Sequence, residues 1–226
     1  MGKEITTYLK QKEEMSKRVG VELKPIYLDK KTSAKKLKEV IKSQTSSGVI
    51  VQLPLPSHLQ KQRQEILNCI PKEKDIDALV DNPITVSPVV RALKAILKYH
   101  KVELKGKNIA LFGAGKLVGV PMAIWLLKEN ASIQTIHKYT KDGDYYSKKA
   151  DIIISGVGKP NLVKSSMVKE GVVLIDIGFS LKNNKIIGDI DREAYKKASV
   201  VLPVPGGIGK LSIVYLLKNL QELKFV

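Results

Sequence analysis

The sequence is poor in cysteine, arginine and aromatic residues, and each shortage excludes a class of protein. A single cysteine, Cys69, cannot form an internal disulfide, which predicts a reducing, cytoplasmic environment. Four arginines and 5% aromatic residues provide few groups that read base edges or stack on bases, so we expect no nucleic acid partner. No apolar run is long enough to span a membrane, so we also expect no membrane partner.

The charge that is present is strongly positive. The formal net charge is +17 over 226 residues, and the lysines are spread along the chain rather than clustered. Such a surface favours anionic ligands that carry phosphate or carboxylate groups, and the alternative is a surface that is only solvated. A basic α/β module that binds nucleic acid is a remote alternative function, against which the scattered charge speaks.

Segments typical of strands and helices alternate, which predicts an α/β fold with a parallel sheet. We predict two α/β units with a ligand cleft between them. The first is a substrate domain, residues 1–87, completed by the C-terminal helix 209–226. The second, residues 88–208, is an NAD(P)-binding domain with a Rossmann-like sheet. Helices are predicted at 5–19, 33–43, 59–69, 88–100, 117–128 and 209–223, and strands at 24–28, 48–52, 108–112, 132–136, 151–157, 172–177 and 200–204.

Gln52 ends the apolar segment 48–52 and is followed by a turn with two prolines. Proline cannot continue a strand ladder, and ligands of open α/β sheets bind beyond the carboxyl ends of the strands. The Gln52 carboxamide is therefore a candidate ligand contact. The alternative is that it only satisfies local backbone groups.

Lys12 falls on the apolar stripe of the first helix, one turn after Tyr8. Burial would lower the pKa of this lysine and make it a candidate general base. The alternative is that the ammonium reaches water along the surface of the core. A carboxylate of the following Asp75-Ile76-Asp77 loop would hold Lys12 if it lay nearby, and otherwise serves as a turn or cap residue.

Two glycine loops are candidate ligand contacts. Gly113 allows a tight turn after a strand, Gly115 lets backbone approach a pyrophosphate, and Gly119 lets the next helix pack closely. The spacing is G-x-G-x-x-x-G, and a glycine-rich turn without a ligand is the alternative. A second loop, framed by prolines, opens the last helix and suits close backbone contact with a flat or anionic ligand; it contains Pro205, Gly206, Gly207, Ile208 and Gly209.

The strand after the first glycine loop ends at His137 and Lys138. No carboxylate stands where NAD enzymes bind the ribose, and Lys138 and Lys116 are cationic, which favours NADP over NAD. His137 is a candidate ribose or phosphate contact; no metal site is predicted, since no cysteine or second histidine is near it. Gly158, Gly178 and Phe179 follow two further strands, where backbone would approach nicotinamide or ribose, or form ordinary turns.

Together these segments resemble the bifunctional methylenetetrahydrofolate dehydrogenase/methenyltetrahydrofolate cyclohydrolase family, from about Tyr8 to the C-terminus. The order and rough spacing of the motifs carry the resemblance. They are Tyr8-x-x-x-Lys12, Val51-Gln52-Leu53-Pro54-Leu55-Pro56, Lys74-Asp75-Ile76-Asp77, Gly113 to Pro121, Asp176-Ile177-Gly178, Gly188-Asp189-Ile190, and Pro203-Val204-Pro205-Gly206-Gly207-Ile208-Gly209.

The resemblance implies oxidation of 5,10-methylenetetrahydrofolate with NADP, or alternatively NAD, and hydrolysis of the product to 10-formyltetrahydrofolate. It implies a homodimer that binds tetrahydrofolate derivatives, with Lys12 as the central catalytic group, Tyr8 and Gln52 positioning it, and Asp77 holding the pterin. The implied substrate contacts are Tyr8, Lys12, Val51, Gln52, Leu53, Asp77, Pro205, Gly206, Gly207, Ile208 and Gly209. The implied cofactor contacts are Gly113, Ala114, Gly115, Lys116, Val118, Gly119, His137, Lys138, Gly158, Gly178 and Phe179.

The sequence departs from the family pattern at several positions. Ala78 replaces the glycine after Asp77, and Ala114 stands where the cofactor loop carries an arginine that grips the 2′-phosphate, which leaves Lys138 as its replacement. Family members also carry a helix and a strand before the Tyr8 helix. We therefore hypothesise a truncated start, which an upstream in-frame apolar segment would support and an upstream stop codon would contradict. A member with a single activity, or with none, is the alternative.

Overall fold

A computed structural model describes residues 3–182 and 185–224. The chain divides into two compact units. Unit 1 is Met1–Pro88 with Ser212–Val226, and unit 2 is Val89–Leu211. The described residues include no helix long and apolar enough to cross a membrane.

Unit 1 is mainly helical. Its helices are α1 (Lys3–Arg18), α2 (Ala34–Lys42), α3 (Arg63–Leu67) and most of α8 (Gly209–Leu223), with 3-10 turns at Ser57–Gln62 and Lys72–Lys74. The predicted cap of α2 is confirmed, because the Ser33 hydroxyl accepts the backbone N–H of Lys36 at 3.3 Å. The single helix predicted at 59–69 is wrong, since a 3-10 turn and the short α3 occupy that range.

The two strands predicted for unit 1 are also wrong. Residues 24–28 form no strand: they are exposed, with Ile26 at 55% and Tyr27 at 67%, and Pro25 lacks an N–H to donate. Residues 48–52 make only an isolated parallel bridge, from Val49 to Asp75, with Val49 N–H donating to the Lys74 carbonyl at 2.8 Å. One bridge does not build a ladder, so the segment is extended without being part of a sheet.

The core of unit 1 consists of two apolar clusters. The smaller cluster joins α8 to the loop after the second 3-10 turn, through Ile76, Leu216, Leu220 and Leu223. Asn219 is fully buried beside it and donates from Nδ2 to the carbonyls of Ile76 at 2.8 Å and Val86 at 2.9 Å. The larger cluster contains Ile41, Val49, Leu55, Leu59, Ile66, Leu67, Ile70, Leu79 and Val80.

Unit 2 is built on the predicted parallel sheet, which the structure confirms. Five strands lie in the order β2-β1-β3-β4-β7, and every pairing between neighbours is parallel. The strands are β1 (Asn108–Phe112), β2 (Ser132–Ile136), β3 (Ile152–Ser155), β4 (Val172–Asp176) and β7 (Ala198–Leu202). β3 and β4 are buried at every residue, as expected for the centre of a sheet covered on both faces.

The remaining elements of unit 2 flank this sheet. They are α4 (Pro88–Tyr99), α5 (Gly119–Lys128), α6 (Gly143–Lys149), α7 (Arg192–Tyr195), a 3-10 turn at Ser165–Met167, and the antiparallel hairpin of β5 (Phe179–Lys182) and β6 (Lys185–Gly188). The hairpin, α6 and α7 are absent from the sequence prediction, because these segments are too short to show a clear periodicity.

We predict that Asn219→Ala lowers the free energy of unfolding of the protein by about 1–3 kcal/mol, because two buried carbonyls lose their donor. Urea unfolding followed by circular dichroism measures the change. Gln221→Ala, at an exposed position of the same helix, is the control and should stay within about 0.5 kcal/mol of the wild type. Equal effects of the two substitutions would contradict the role of Asn219.

Candidate functional site

Lys12 lies buried at the centre of a polar cluster in unit 1, with only 4% of its surface exposed. Its ammonium donates to Gln52 Oε1 at 3.3 Å and stands 4.9 Å from the centre of the Tyr8 ring. α1 brings Tyr8 and Lys12 onto one face, since residues four apart are neighbours on a helix. The burial excludes the alternative in which the ammonium extends into water.

Burial shifts the pKa values of the ionisable groups in this cluster. Desolvation lowers the pKa of the Lys12 ammonium, and the charge of Asp77 opposes that shift. Burial raises the pKa of Asp77 to about 6, Lys12 opposes that shift, and Asp75 adds to it. A lysine that loses its proton more readily and a carboxyl that titrates near neutral pH are the groups that proton transfer requires.

Tyr8 is held from the other side by α8. Its hydroxyl lies 3.0 Å from Ser212 Oγ, and Ser212 is itself buried. Burial raises the pKa of the Tyr8 phenol, so the group keeps its proton at neutral pH. Ser212 was not among the predicted site residues; its signal in the sequence is a small polar residue on the buried face of α8, two turns before Asn219.

Gln52 satisfies a local backbone group and also contacts the Lys12 side chain, so a purely local role does not describe it. Its Oε1 accepts from Lys12, and its Nε2 donates to the neighbouring Leu53 carbonyl at 3.0 Å. The local bond fixes the carboxamide so that its oxygen points at the ammonium. Val51 and Leu53, the candidate contacts on either side, are half-buried and pack against the larger apolar cluster.

The two aspartates of the next loop have different roles. Asp75 is fully buried, and its Oδ2 accepts the N–H groups of Leu79 at 2.8 Å and Val80 at 2.9 Å. It therefore shapes the turn, while half-buried Asp77 carries its charge toward Lys12. Ala78 takes a left-handed backbone conformation with φ +55°, which explains why a glycine suits this position.

The proline-framed loop belongs to unit 2, whereas Tyr8, Lys12, Gln52 and Asp77 belong to unit 1. Gly206 has φ +115°, and the N–H of Gly207 donates to the Pro203 carbonyl at 2.8 Å. A Cβ on Gly207 would lie 2.6 Å from that carbonyl oxygen, so only glycine fits. Pro205 is exposed, Ile208 is buried, and Gly209 begins α8.

The first glycine loop of unit 2 fits the shape that a dinucleotide requires. Gly113 has φ +102°, and a Cβ on Gly119 would lie 2.2 Å from the Gly113 carbonyl oxygen. A Cβ on Gly115 would meet nothing within 4 Å, so that face is open. Ala114, Gly115 and Lys116 are exposed and Val118 is half-buried. The open loop precedes the N-terminus of α5, which favours negative charge.

The turn after β2 carries His137 and Lys138, both exposed. The ring nitrogen Nδ1 of His137 accepts the N–H of Tyr139 at 3.2 Å, so the imidazole is tied into the turn. Lys138 Nζ lies 4.8 Å from the centre of the Tyr139 ring. The described residues contain no group of three His, Cys, Asp or Glu side chains arranged to hold a metal ion.

Gly158, Gly178 and Phe179 lie around a carboxylate that the sequence analysis did not assign. The N–H of Gly158 donates to Asp189 Oδ2 at 3.1 Å, and a Cβ on Gly178 would lie 2.0 Å from the same oxygen. The N–H of Gly178 donates to the Ser155 carbonyl at 3.0 Å. Phe179 is 47% exposed on β5. Both glycine amides are therefore occupied within the protein.

Two family models match consecutive parts of the chain. Residues 2–77 match the catalytic domain of tetrahydrofolate dehydrogenase/cyclohydrolase, and residues 87–224 match its NAD(P)-binding domain. The bifunctional protein FolD of a Nitratiruptor species is 40% identical over 94% of this chain and 80% of its own length. That of Aquifex aeolicus is 36% identical over 94% of this chain and 77% of its own length.

The fold of this chain is also similar to solved structures of FolD proteins. The bifunctional FolD of Campylobacter jejuni is 33% identical, covers 99% of this chain and 85% of its own, and has a TM-score of 0.88. The FolD of Trypanosoma brucei, solved with NADP cofactor and an inhibitor, is 28% identical, covers 98% of this chain and 82% of its own, and has a TM-score of 0.89.

Two glycines of the open loop should respond differently to a methyl group. We predict that Gly119→Ala costs about 1–3 kcal/mol of folding free energy, because the Cβ would press on the Gly113 carbonyl. Gly115→Ala should stay within about 0.5 kcal/mol of the wild type, because its Cβ enters open space. Chemical unfolding of both variants measures the difference, and a larger loss for Gly115→Ala would refute the packing described for the loop.

Proposed function

Because the chain belongs to the tetrahydrofolate dehydrogenase/cyclohydrolase family, we propose that it oxidises 5,10-methylenetetrahydrofolate to 5,10-methenyltetrahydrofolate with NADP and hydrolyses the product to 10-formyltetrahydrofolate. The observation that carries the proposal is the buried Lys12 with its contacts to Gln52 and Tyr8. Burying a lysine at 4% exposure costs stability because its ammonium loses hydration, and this favours a functional role over a structural one.

In the hydrolytic step, water adds to the electrophilic methenyl carbon and a C–O bond forms. One C–N bond then breaks, the departing nitrogen takes up one proton, and the other proton of the water is released. Lys12 is the group that accepts or orients that proton, because burial lowers the pKa of its ammonium. Gln52 holds the Lys12 nitrogen through its Oε1, and the protonated Tyr8 hydroxyl is held by Ser212. Asp77 accepts hydrogen bonds from the polar edge of the pterin when its carboxyl is ionised.

In the oxidative step, the bound nicotinamide supplies the hydride acceptor, and the task of the protein is alignment. Gly113, Ala114, Gly115, Val118 and Gly119 form the loop that holds the pyrophosphate. Lys12 and Tyr8 orient the folate during this step as well.

Cofactor choice depends on the turn after β2. Lys138 is exposed there, and Lys116 is exposed on the glycine loop, and the positive charge of both favours a 2′-phosphate. His137 contributes a ribose or phosphate contact from the same turn, and Gly158, Gly178 and Phe179 border the nicotinamide. NADP is therefore the proposed cofactor, and a preference for NAD in steady-state assays with both dinucleotides would refute this assignment.

The proposed assembly is a homodimer in the cytoplasm, without a nucleic acid partner. The β5–β6 hairpin supports an interface, because it lies outside the five-stranded sheet and leaves Phe179 at 47% and Ile186 at 37% exposure. Light scattering tests the assembly, since a mass equal to the 25.0 kDa chain would refute it. Salt-sensitive binding of RNA or DNA without folate binding would instead favour the nucleic acid module.

We predict that Lys12→Ala lowers the rate of hydrolysis at least about 100-fold, because the group that handles the proton is lost. Gln52→Ala should also slow hydrolysis while leaving NADP affinity unchanged. The decay of methenyltetrahydrofolate absorbance measures hydrolysis, and calorimetric titration measures NADP binding. Lys10→Ala, at an exposed position of the same helix, is the control and should keep wild-type rates. A Lys12→Ala protein that retains both activities would show that the assigned mechanism is wrong.

Hydrolysis should depend on the ionisation of Asp77. Because burial raises the pKa of Asp77 to about 6, we expect kcat/KM to fall as the pH drops through about 6 and the carboxyl takes up a proton. The measurement is a pH profile with the uncatalysed decay subtracted. In Asp77→Asn the activity should be low and this acid limb absent; an unchanged acid limb would assign it to another group.

A further inference from the structure

Asp189 is a buried carboxylate surrounded by hydrogen-bond donors from a single loop, and neither proposed chemical step uses it. Its Oδ2 accepts the Ser155 hydroxyl at 2.8 Å, the Val157 N–H at 2.7 Å and the Gly158 N–H at 3.1 Å. Its Oδ1 accepts the Lys159 N–H at 2.7 Å. The side chain is fully buried, so these four bonds replace the hydration of the charge.

Three successive backbone N–H groups that converge on one anion form a nest, a feature that proteins commonly use to bind phosphate. Here the nest of residues 157–159 is filled by the chain's own carboxylate. We call the loop from Ser155 to Lys159 the anchored loop, because the buried Asp189 carboxylate fixes its conformation. The Gly158 carbonyl is fixed as well, because it accepts the Ser180 hydroxyl at 2.7 Å.

Asp189 is itself held in place by a second buried carboxylate. Asp176, at the end of β4, accepts the backbone N–H of Asp189 at 3.1 Å and that of Ile190 at 2.9 Å. Glycines make room for both side chains: a Cβ on Gly178 would lie 2.0 Å from Asp189 Oδ2, and a Cβ on Gly188 would lie 2.1 Å from Asp176 Oδ2. The position of the Asp189 carboxylate is therefore fixed by backbone at several points.

The anchored loop lies at the point of the sheet where a ligand is expected. In the order β2-β1-β3-β4-β7, the chain adds β2 on one side of β1 and β3 on the other, so the strand order switches between β1 and β3. Ligands of such sheets bind at the carboxyl ends of the strands beside this switch point. The first glycine loop follows β1, and the anchored loop follows β3. The two loops touch: a Cβ on Gly113 would lie 3.2 Å from the Gly156 carbonyl oxygen, and one on Gly156 would lie 2.7 Å from Val118.

We propose that Asp189 is a positioning residue for the dinucleotide. It fixes the conformation of the anchored loop, which forms the wall of the binding site opposite the first glycine loop. The inference rests on the proposed function only for the identity of the dinucleotide as NADP. Asp189 touches neither reactant; it acts through the backbone of residues 157–159. Replacing it by asparagine leaves the shape unchanged, but at least one backbone N–H then faces the new NH₂ group.

The affinity for NADP, measured by isothermal titration calorimetry on the folded full chain, tests the proposal. Asp189→Asn should raise the dissociation constant about tenfold or more, since a buried donor loses its acceptor. Asp191→Asn is the matched control: this half-buried aspartate, two residues later, accepts the Glu193 N–H as the cap of α7 and should leave the affinity within about twofold of the wild type.

Hydrolysis of methenyltetrahydrofolate without any dinucleotide separates positioning from general loss of structure. It should stay within about twofold of the wild type in Asp189→Asn. A wild-type affinity for NADP in this variant would overturn the proposal, and so would equal losses of NADP affinity and hydrolysis.

Ser155→Ala provides a milder test if Asp189→Asn does not fold. It removes one of the four bonds and should weaken NADP binding about threefold with hydrolysis unchanged; an unchanged dissociation constant would overturn the proposal. Failure of the proposed function is recognised separately, because it appears as a wild-type protein without turnover, whereas Asp189 is judged by dinucleotide affinity.

Discussion

Burying a positive charge at Lys12 is the constraint on which the rest of unit 1 depends. An ammonium at 4% exposure has lost most of its hydration, and the protein offers a carboxamide oxygen, an aromatic face and the charge of Asp77 in return. Tyr8 stands one turn before Lys12 on α1, whereas Gln52 and Asp77 must be brought from other parts of the chain. The Gln52 turn, the Asp75 turn and the α8 helix are arranged around this one requirement.

The protein treats its buried carboxylates in two ways. Asp75 accepts backbone N–H groups from Leu79 and Val80, and Asp189 accepts them from the loop after β3, so both carboxylates shape the chain. Asp176 also accepts two backbone N–H groups, and burial raises its pKa to about 7, while burial raises the pKa of Asp77 to about 6. The backbone bonds give rigidity, and the raised pKa values give Asp77 and Asp176 a proton that moves near neutral pH.

Sequence reasoning recovered unit 2 better than unit 1, and the reason is the range of the interactions. β1 and β2 were predicted to the residue because apolar runs and glycines are local signals. The strand predicted at 24–28 is wrong because its apolar residues, Ile26 among them, are exposed, which composition alone does not reveal. Ser212 meets Tyr8 across 204 positions of the chain, and no local pattern encodes such a contact.

The filled nest of the anchored loop has a consequence for how a long anionic ligand lies on the sheet. Two neighbouring loops with glycines offer backbone amides at the same edge, yet one of them already holds an anion of its own. A phosphate approaching the anchored loop meets a carboxylate behind the amides, while the loop after β1 stays open at Gly115. The Asp189 carboxylate therefore disfavours a phosphate at the anchored loop and leaves the loop after β1 as the place that favours one.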